Sequence, residues 1–337
     1  MSNLRNLSNS RILMTGATGP FGKAILHYLN ENIPGCSVVI LTRSPEKAKS
    51  EFGHCRYLDI DYIELDFANV KGKEYLEIPG CEYVIHMASV TAAESYNSID
   101  PFLKYRVLES GAELIASYCI HNKVKKALFT SSGAVYGEYS AMEEINESDS
   151  CKVMVDMPDK YALSIGKLAA EFTFSYLNKY TSTDSCICRC FGICGPGLPV
   201  DLHYALGNFV DSALKGKEII IRSDGSSRRS FMDTRDLSRW ILSLLTSETK
   251  YLIYNVGSNE AISIKDLAET VRKVTGSISQ IEIRGEDCSR LSNPNVSSFV
   301  PSINRAMSEG LGLEYKLVES IRYYADWVMS SYRLKNK

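Results

Sequence analysis

Residues Ile12-Leu13-Met14-Thr15-Gly16-Ala17-Thr18-Gly19-Pro20-Phe21-Gly22 pass from an apolar, β-prone run through three glycines into an amphipathic stretch that continues to about Asn30. A strand that feeds a helix through so short a turn belongs to a parallel sheet with crossover helices. Each glycine has a use there. Without side chains they permit the tight turn, let backbone N–H groups approach an anion, and let the helix pack closely on the strand, while the helix N-terminus favours negative charge. Strand, turn and helix together point to a dinucleotide held by its pyrophosphate, with Gly16, Thr18, Gly19, Pro20, Phe21 and Gly22 around it.

The alternation continues. Strands are expected at Arg11 to Thr15, Ser37 to Thr42, Tyr62 to Leu65, Tyr83 to Met87, Lys126 to Ser131 and Ser185 to Cys190. Helical spacing of apolar positions marks Gly22 to Asn30, Phe102 to His121 and Leu163 to Lys179. The expected class is α/β, a doubly wound parallel sheet. After Cys190 a breaker-rich loop, Gly-Ile-Cys-Gly-Pro-Gly-Leu-Pro, opens a smaller mixed α/β lobe. That division gives a dinucleotide-binding domain at 1–190, to which 233–256 returns, and a second lobe at 191–337. Within the lobe Asp224-Gly225 marks a turn, Tyr251 to Val256 a strand and Glu314 to Arg333 a closing helix.

At 337 residues, with 45% hydrophobic and 23% charged side chains, the chain can bury a large core. A formal charge of -2 without long single-sign runs gives no footprint for nucleic acid or an anionic membrane, and neither is expected as a partner. The stretch Met1 to Ser10 has no leader pattern, and a cytoplasmic location is the expectation. Of the ten cysteines, Cys186, Cys188, Cys190 and Cys194 are close enough to suggest a metal. Their alternation instead puts the first three on one face of a strand, without the C-x-x-C pairs of zinc sites, so no metal is expected.

The end of the second strand reports the cofactor. An acidic residue there suits the ribose hydroxyls of NAD, but this chain has Thr42-Arg43, which favours NADP over NAD because a guanidinium suits a phosphate. Asp66 and Phe67, after the third strand, are placed for the adenine amino group and ring; a helix cap explains Asp66 as well.

Leu128-Phe129-Thr130-Ser131-Ser132-Gly133-Ala134-Val135-Tyr136-Gly137 ends a strand in hydroxyls, and Tyr161-Ala-Leu-Ser-Ile-Gly-Lys167-Leu-Ala-Ala-Glu171 follows. With the glycine turn, His86-Met87-Ala88-Ser89, Arg189-Cys190-Phe191 before Gly195-Pro196-Gly197, Arg229-Ser230-Phe231 and Tyr254-Asn255-Val256-Gly257, this resembles the extended short-chain dehydrogenase/reductase family, over nearly the whole chain from about Arg11. The resemblance implies a Rossmann-type domain, nucleotide-diphosphate sugars as substrates, and a cofactor lined by Met87, Ala88 and Ser89. It gives Ser132 the hydroxyl that holds a sugar oxygen, Lys167 the nicotinamide ribose, and Tyr161 the acid/base role. Hydride transfer at a carbinol carbon requires proton transfer at its oxygen, and a phenol must be tuned toward neutrality to do it.

The family spaces tyrosine and lysine four apart, whereas Tyr161 and Lys167 are six apart. Four residues advance about 400° around a helix and six about 600°, which leaves the two side chains about 120° apart. Position 163, four before Lys167, is Leu163. Two explanations stand: an insertion that puts Tyr161 in the preceding turn and lets Gly166 absorb the irregularity, or loss of the acid/base residue.

Family members that dehydrate sugars carry Asp-Glu after the hydroxyl residue, and the decarboxylases keep the glutamate; Gly133 and Ala134 stand here. Chemistry at a single carbinol remains. The leading expectation is a nucleotide-sugar 4-epimerase, with an NADPH-dependent keto-sugar reductase and an impaired dinucleotide-binding protein as alternatives. In the second lobe the resemblance assigns the diphosphate to Arg229 and Asn208. Arg228 reads as a solvated neighbour, His203 as a surface or packing histidine, and Phe191, Gly192 and Cys194 alter the pocket. A homodimer is expected through two helices of the first half, with the apolar face of Phe102 to His121 available.

Overall fold

The computed structural model describes residue 4 and residues 7–70, 77–90, 99–137, 144–200, 204–285 and 298–335, the last two of these without their side chains. In the first half the elements are β1 (Arg11–Thr15), α1 (Pro20–Asn32), β2 (Ser37–Thr42), α2 (Pro45–Phe52), β3 (Asp59–Glu64), β4 (Tyr83–His86), α3 (Pro101–Asn122), β5 (Lys126–Ser132), α4 (Pro158–Tyr180) and β6 (Asp184–Cys190). Then come β7 (Ile193–Cys194), α5 (Ala205–Leu214), β8 (Ile219–Ile221), β9 (Arg228–Arg229), β10 (Met232–Asp233), α6 (Thr234–Thr246) and β11 (Ile253–Val256). The chain closes with β12 (Ile262–Ser263), α7 (Ile264–Thr275), β13 (Ile281–Ile283), β14 (Ser298–Phe299), α8 (Asn304–Ser308) and α9 (Leu317–Lys335).

A seven-stranded sheet runs in the order β3-β2-β1-β4-β5-β6-β11. Its ladders are parallel, and at the β11 edge Ile187 N–H donates to Leu252 O and Phe191 N–H to Val256 O, which advances both strands together. The strand order reverses between β1 and β4. That reversal opens the crevice at the carboxyl edge where doubly wound sheets hold ligands.

Proline explains where the helices begin. Pro20, Pro45, Pro101 and Pro158 each stand in the first turn of their helix, where a missing N–H costs nothing. For α4 this moves the start well ahead of Leu163, because Pro158 and Asp159 are polar-end signals that apolar periodicity does not register. β3 likewise begins at Asp59 rather than Tyr62, since Asp59 and Asp61, both exposed, flank the half-buried Ile60 and interrupt the apolar run.

Two compact units divide the chain. The first holds Met1–Gly137, Val153–Cys190 and Ser238–Tyr254, and the second Glu138–Lys152, Phe191–Leu237 and Asn255–Lys337. Sequence pattern places 138–152 in the first domain; the structure gives it to the second. There Ile145 is bound by backbone, its N–H to Val300 O and its carbonyl accepting from Ser302 N–H, both at 2.8 Å, and Asn255 Nδ2 also donates to that carbonyl. The core of the first unit includes Leu13, Val39, Val84, Ile115, Phe129, Phe174 and Ile187, between the sheet and the paired helices α3 and α4. The second unit joins a small sheet, β12-β9-β14, to the pairs β8/β13 and β7/β10, with α5, α7 and α9 packed together.

Cys186, Cys188, Cys190 and Cys194 are buried free thiols, and burial pushes Cys190 up to about 12. Among the described residues no cluster of metal-ligating side chains occurs, and no helix is long and apolar enough to cross a membrane.

A Cβ at Gly22 would overlap the Ala17 backbone, whereas one at Gly19 would meet only Gly16 O, at 3.3 Å. Gly22→Ala is therefore expected to cost about 1–3 kcal/mol in urea unfolding, and Gly19→Ala about 0.5 kcal/mol or less.

Candidate active site

The glycine turn lies against the end of β4. Gly16 has φ +70, and a Cβ there would stand 2.7 Å from Met87 C. Thr15 ties the two strands: its Oγ1 accepts from Met87 N–H at 3.1 Å and Ala88 N–H at 3.0 Å and lies 2.8 Å from His86 Nδ1. With both lone pairs occupied, the hydroxyl hydrogen goes to Nδ1, so the proton of neutral His86 sits on Nε2. Nε2 has no partner among the described residues. Gly19 caps α1 without a side-chain bond and Pro20 follows, which leaves the N–H groups of Phe21 and Gly22 at a bare helix N-terminus. Thr18 is half-buried beside them, and Ser89 is half-buried just beyond Ala88. This cradle fits a pyrophosphate: small, backbone-lined and positive in potential.

Thr42 ends β2 and Arg43 follows it, at the same edge of the sheet. Thr42 Oγ1 accepts from Ser44 N–H at 3.3 Å, and Arg43 is exposed. Asp66 spends its carboxylate locally, Oδ1 accepting from Ala68 N–H and Oδ2 from Asn69 Nδ2, each at 3.0 Å. Phe67 is buried edge-on against His86, with ring centroids 5.7 Å apart.

β5 ends in Ser132, which caps a single turn of 3-10 helix, Gly133–Tyr136, by accepting from Ala134 N–H at 3.1 Å. Its own hydroxyl hydrogen is left to donate. Lys167 is buried, its Nζ donating to Thr130 O at 2.6 Å and lying 4.7 Å from the Phe129 ring centre. Burial pulls this amine down to about 8, against the raising effect of Cys190 and Glu171. Next to it Arg189 grips Glu171 with two bonds, Nε to Oε1 at 3.0 Å and Nη2 to Oε2 at 2.8 Å, and Ser131 Oγ donates to Glu171 Oε1 at 2.5 Å.

Tyr161 does not lie in a preceding turn. It sits within α4, and α4 runs unbroken from Pro158 to Tyr180. Gly166 absorbs no irregularity; it makes room for α3, because a Cβ there would meet Leu108 Cδ1 at 2.8 Å. The side chains of Tyr161 and Lys167 thus leave the helix about 120° apart, while Leu163 lies about 40° from Lys167. The Tyr161 hydroxyl is buried and has no partner among the described residues.

In the second unit Arg229 is half-buried in β9, opposite Ile262 and Phe299. Its Nη1 donates to Arg228 O at 2.8 Å, and burial lowers its pKa. Arg228 is exposed and bonds Ala261 O. Asn208 lies half-buried in the first turn of α5, its N–H bonded to Tyr204 O. Phe191 packs on Phe299 at 5.0 Å, Cys194 is fully buried, and a Cβ on Gly192 would press on Ser230 O. His203 lies outside the described residues.

A family model described as the NAD dependent epimerase/dehydratase family matches residues 12–257. The chain belongs to this family. A dTDP-4-dehydro-6-deoxy-D-allose reductase of Streptomyces sp is 27% identical over 325 residues, 91% of this chain and 96% of its own. A dTDP-D-glucose 4,6-dehydratase of Dictyostelium discoideum is 23% identical over 295 residues, covering 82% of this chain but 64% of that protein, so the chain spans just under two thirds of it. In fold it is similar to the UDP-glucose 4-epimerase of Thermotoga maritima solved with UDP-glucose, with TM-score 0.80 and 18% identity over 96% of this chain and 99% of the other. The UDP-glucose 4-epimerase of Thermus thermophilus, solved with NAD, gives 0.73 and 20% over 95% and 99%.

Thr15, Ser131, Ser164 and Glu171 enter the site only through the structure. A signal existed for the buried pair, since Arg189 is the one charge in the apolar run from Ser185 to Cys190, and Glu171 closes the run that begins at Lys167.

Burial, with the Lys167 charge adding to it, holds His86 down to about 3, below the ordinary histidine value of 6.5. The unfolded chain then takes up this proton first as pH falls, so stability is lost between about pH 6.5 and pH 3. The urea-unfolding free energy of the native protein minus that of His86→Phe is expected to fall from pH 7 to pH 4; a constant difference contradicts it.

Proposed function

We propose that the protein is an NAD(P)-dependent nucleotide-sugar epimerase of the 4-epimerase type, which oxidises one sugar carbinol transiently and returns the hydride to the opposite face. The observation that carries this reading is the pairing, in one unit, of the bare glycine-turn N-terminus with Ser132 and a buried Lys167 beside the same sheet. When bound, the nicotinamide supplies a hydride acceptor and donor. Ser132 would hold the sugar oxygen through its free hydroxyl hydrogen, and Lys167 the nicotinamide ribose. Tyr161 would move the proton at that oxygen. In its favour, the buried Tyr161 O–H has no partner among the described residues, and a phenol left so costs about 1–3 kcal/mol that a ligand oxygen relieves.

Arg229, a half-buried guanidinium that donates to a backbone carbonyl through Nη1, suits a diphosphate, and Asn208 would add an amide. Relatives of similar fold were solved with UDP-glucose and UDP-glucuronic acid, which supports a nucleotide-sugar substrate. Gly133 and Ala134 still speak against dehydration and decarboxylation, although curated relatives catalyse both. Thr42 and Arg43 favour NADP; Asp66 and Phe67 would take the adenine, and Met87, Ala88 and Ser89 the nicotinamide side. A homodimer is proposed through α3 and α4, because Phe172, Tyr176 and Tyr180 leave an exposed aromatic stripe on α4.

A second reading rests on the unbroken α4, which sets Tyr161 and Lys167 apart: a protein that binds the dinucleotide without a working proton shuttle. Purified protein mixed with UDP-, dTDP-, GDP- and CDP-sugars separates these. Inversion without net change in nicotinamide absorbance is expected; stoichiometric NADPH loss with a 4-keto sugar means a reductase, and binding without turnover the second reading. Tyr161→Phe is expected to lower turnover about 100-fold or more. If it does not, and Leu163→Tyr instead raises turnover, the acid/base position is 163 and is vacant in this chain.

A further inference from the structure

Ser164, Lys167 and Glu171 lie along one stripe of α4. Three residues advance about 300° and four about 400°, so the three side chains fall within about 60° of one another. Each is tied to a different residue of β5 or the turn after it. Ser164 Oγ donates to Ala134 O at 2.8 Å, Lys167 Nζ to Thr130 O at 2.6 Å, and Glu171 accepts from Ser131 Oγ at 2.5 Å. The Arg189 guanidinium that grips Glu171 also lies 4.8 Å from the ring centre of Tyr136, the last residue of that turn. The turn that begins at Ser132 is thus held twice, at Ala134 by Ser164 and at Tyr136 by Arg189.

We propose that Ser164 and Glu171 are positioning residues that lock the rotation of α4 about its axis and so deliver Lys167 and the Ser132 turn to the dinucleotide. The proposal rests on the assignment of Lys167 to the dinucleotide given above. A rotation of about 20° carries a group about 6 Å from the axis through about 2 Å. No hydrogen bond survives such a shift. Three bonds spread over two turns of helix therefore resist rotation where one would only resist separation. Glu171 has a second effect, since its carboxylate favours the charged form of Lys167 against the pull of burial.

The test uses the full chain with 13C-labelled lysine, the Lys167 signal being assigned by its loss in Lys167→Met. Its titration is followed without dinucleotide, and NAD and NADP affinities are measured by calorimetry. Ser164→Ala is expected to weaken dinucleotide binding about 3- to 10-fold. Thr173→Ala, on the same helix but with its hydroxyl bonded, among the described residues, only to Ala169 O one turn back, at 3.2 Å, is expected to leave it unchanged. Glu171→Gln should move the Lys167 midpoint to lower pH. If that variant does not fold, Ser131→Ala cuts the same tie while the ion pair stays, and it should weaken binding as Ser164→Ala does. Equal losses in Ser164→Ala and Thr173→Ala, or a Lys167 midpoint unmoved by Glu171→Gln, overturn the proposal. A native protein that binds neither dinucleotide refutes the functional reading instead, and the Lys167 titration still decides the positioning role.

Discussion

The buried pair of Glu171 and Arg189 is the interaction on which the rest of the site depends. Either charge alone in that interior is untenable, and breaking such a pair by removing one partner costs about 3–5 kcal/mol. Together, with Ser131 filling one further lone pair and Tyr136 under the guanidinium, they are satisfied. What they join matters more than what they contribute to net stability. Glu171 belongs to α4, Arg189 to β6 and Ser131 to β5, so one carboxylate fixes a helix against two adjacent strands.

Nearer the middle of the sheet, at β1 and β4, a neutral group does the equivalent task. Thr15 Oγ1 takes two backbone N–H groups from the chain leaving β4 and gives its hydrogen to His86. Met87 N–H also reaches Thr15 O at 3.3 Å, so it is the N–H of Ala88, past the last rung of the β1/β4 ladder, that most needs this hydroxyl. Phe129, stacked on His86 and lying under the Lys167 ammonium, connects the two assemblies. The glycine turn and the hydroxyl end of β5 therefore sit on one continuous packed layer.

Much of this was legible in the sequence. Strands β1 and β2 were readable to the residue because both are apolar runs bounded by turn formers, and the glycine turn was readable because its chemistry is local. The start of α4 was not, since Pro158 and Asp159 signal a helix N-terminus by backbone chemistry and not by periodicity. A helix begun at Leu163 leaves Tyr161 room to lie in a turn and makes Gly166 read as an irregularity. Its actual neighbour, Leu108, is on another helix and far away in sequence, so no local pattern reveals the close crossing. Ser164 and Glu171 were hidden for the same reason, because what they bind is remote in sequence.

The regular helix narrows the chemistry to a question of which part of α4 can move. Lys167 and Leu163 are bound to the rotation that the Ser164, Lys167 and Glu171 ties impose, and Leu163 has no proton to transfer. Tyr161 lies ahead of the first of those ties, in the turn that opens with Pro158, where Met157 offers no side-chain cap. The approach to that turn leaves Met154, Val155 and Met157 exposed, and Pro158, Asp159 and Lys160 are exposed as well, so the turn is packed only where it ends, at the buried Tyr161 and Ala162. A helix frays from its ends, and here the end carries the phenol nearest to Lys167 in sequence. Rearrangement of this single turn would swing Tyr161 without disturbing any tie of the locked stripe, so under the acid/base role proposed for Tyr161 the geometry of residues 158–161, rather than of the lysine, is what decides whether the proton can move.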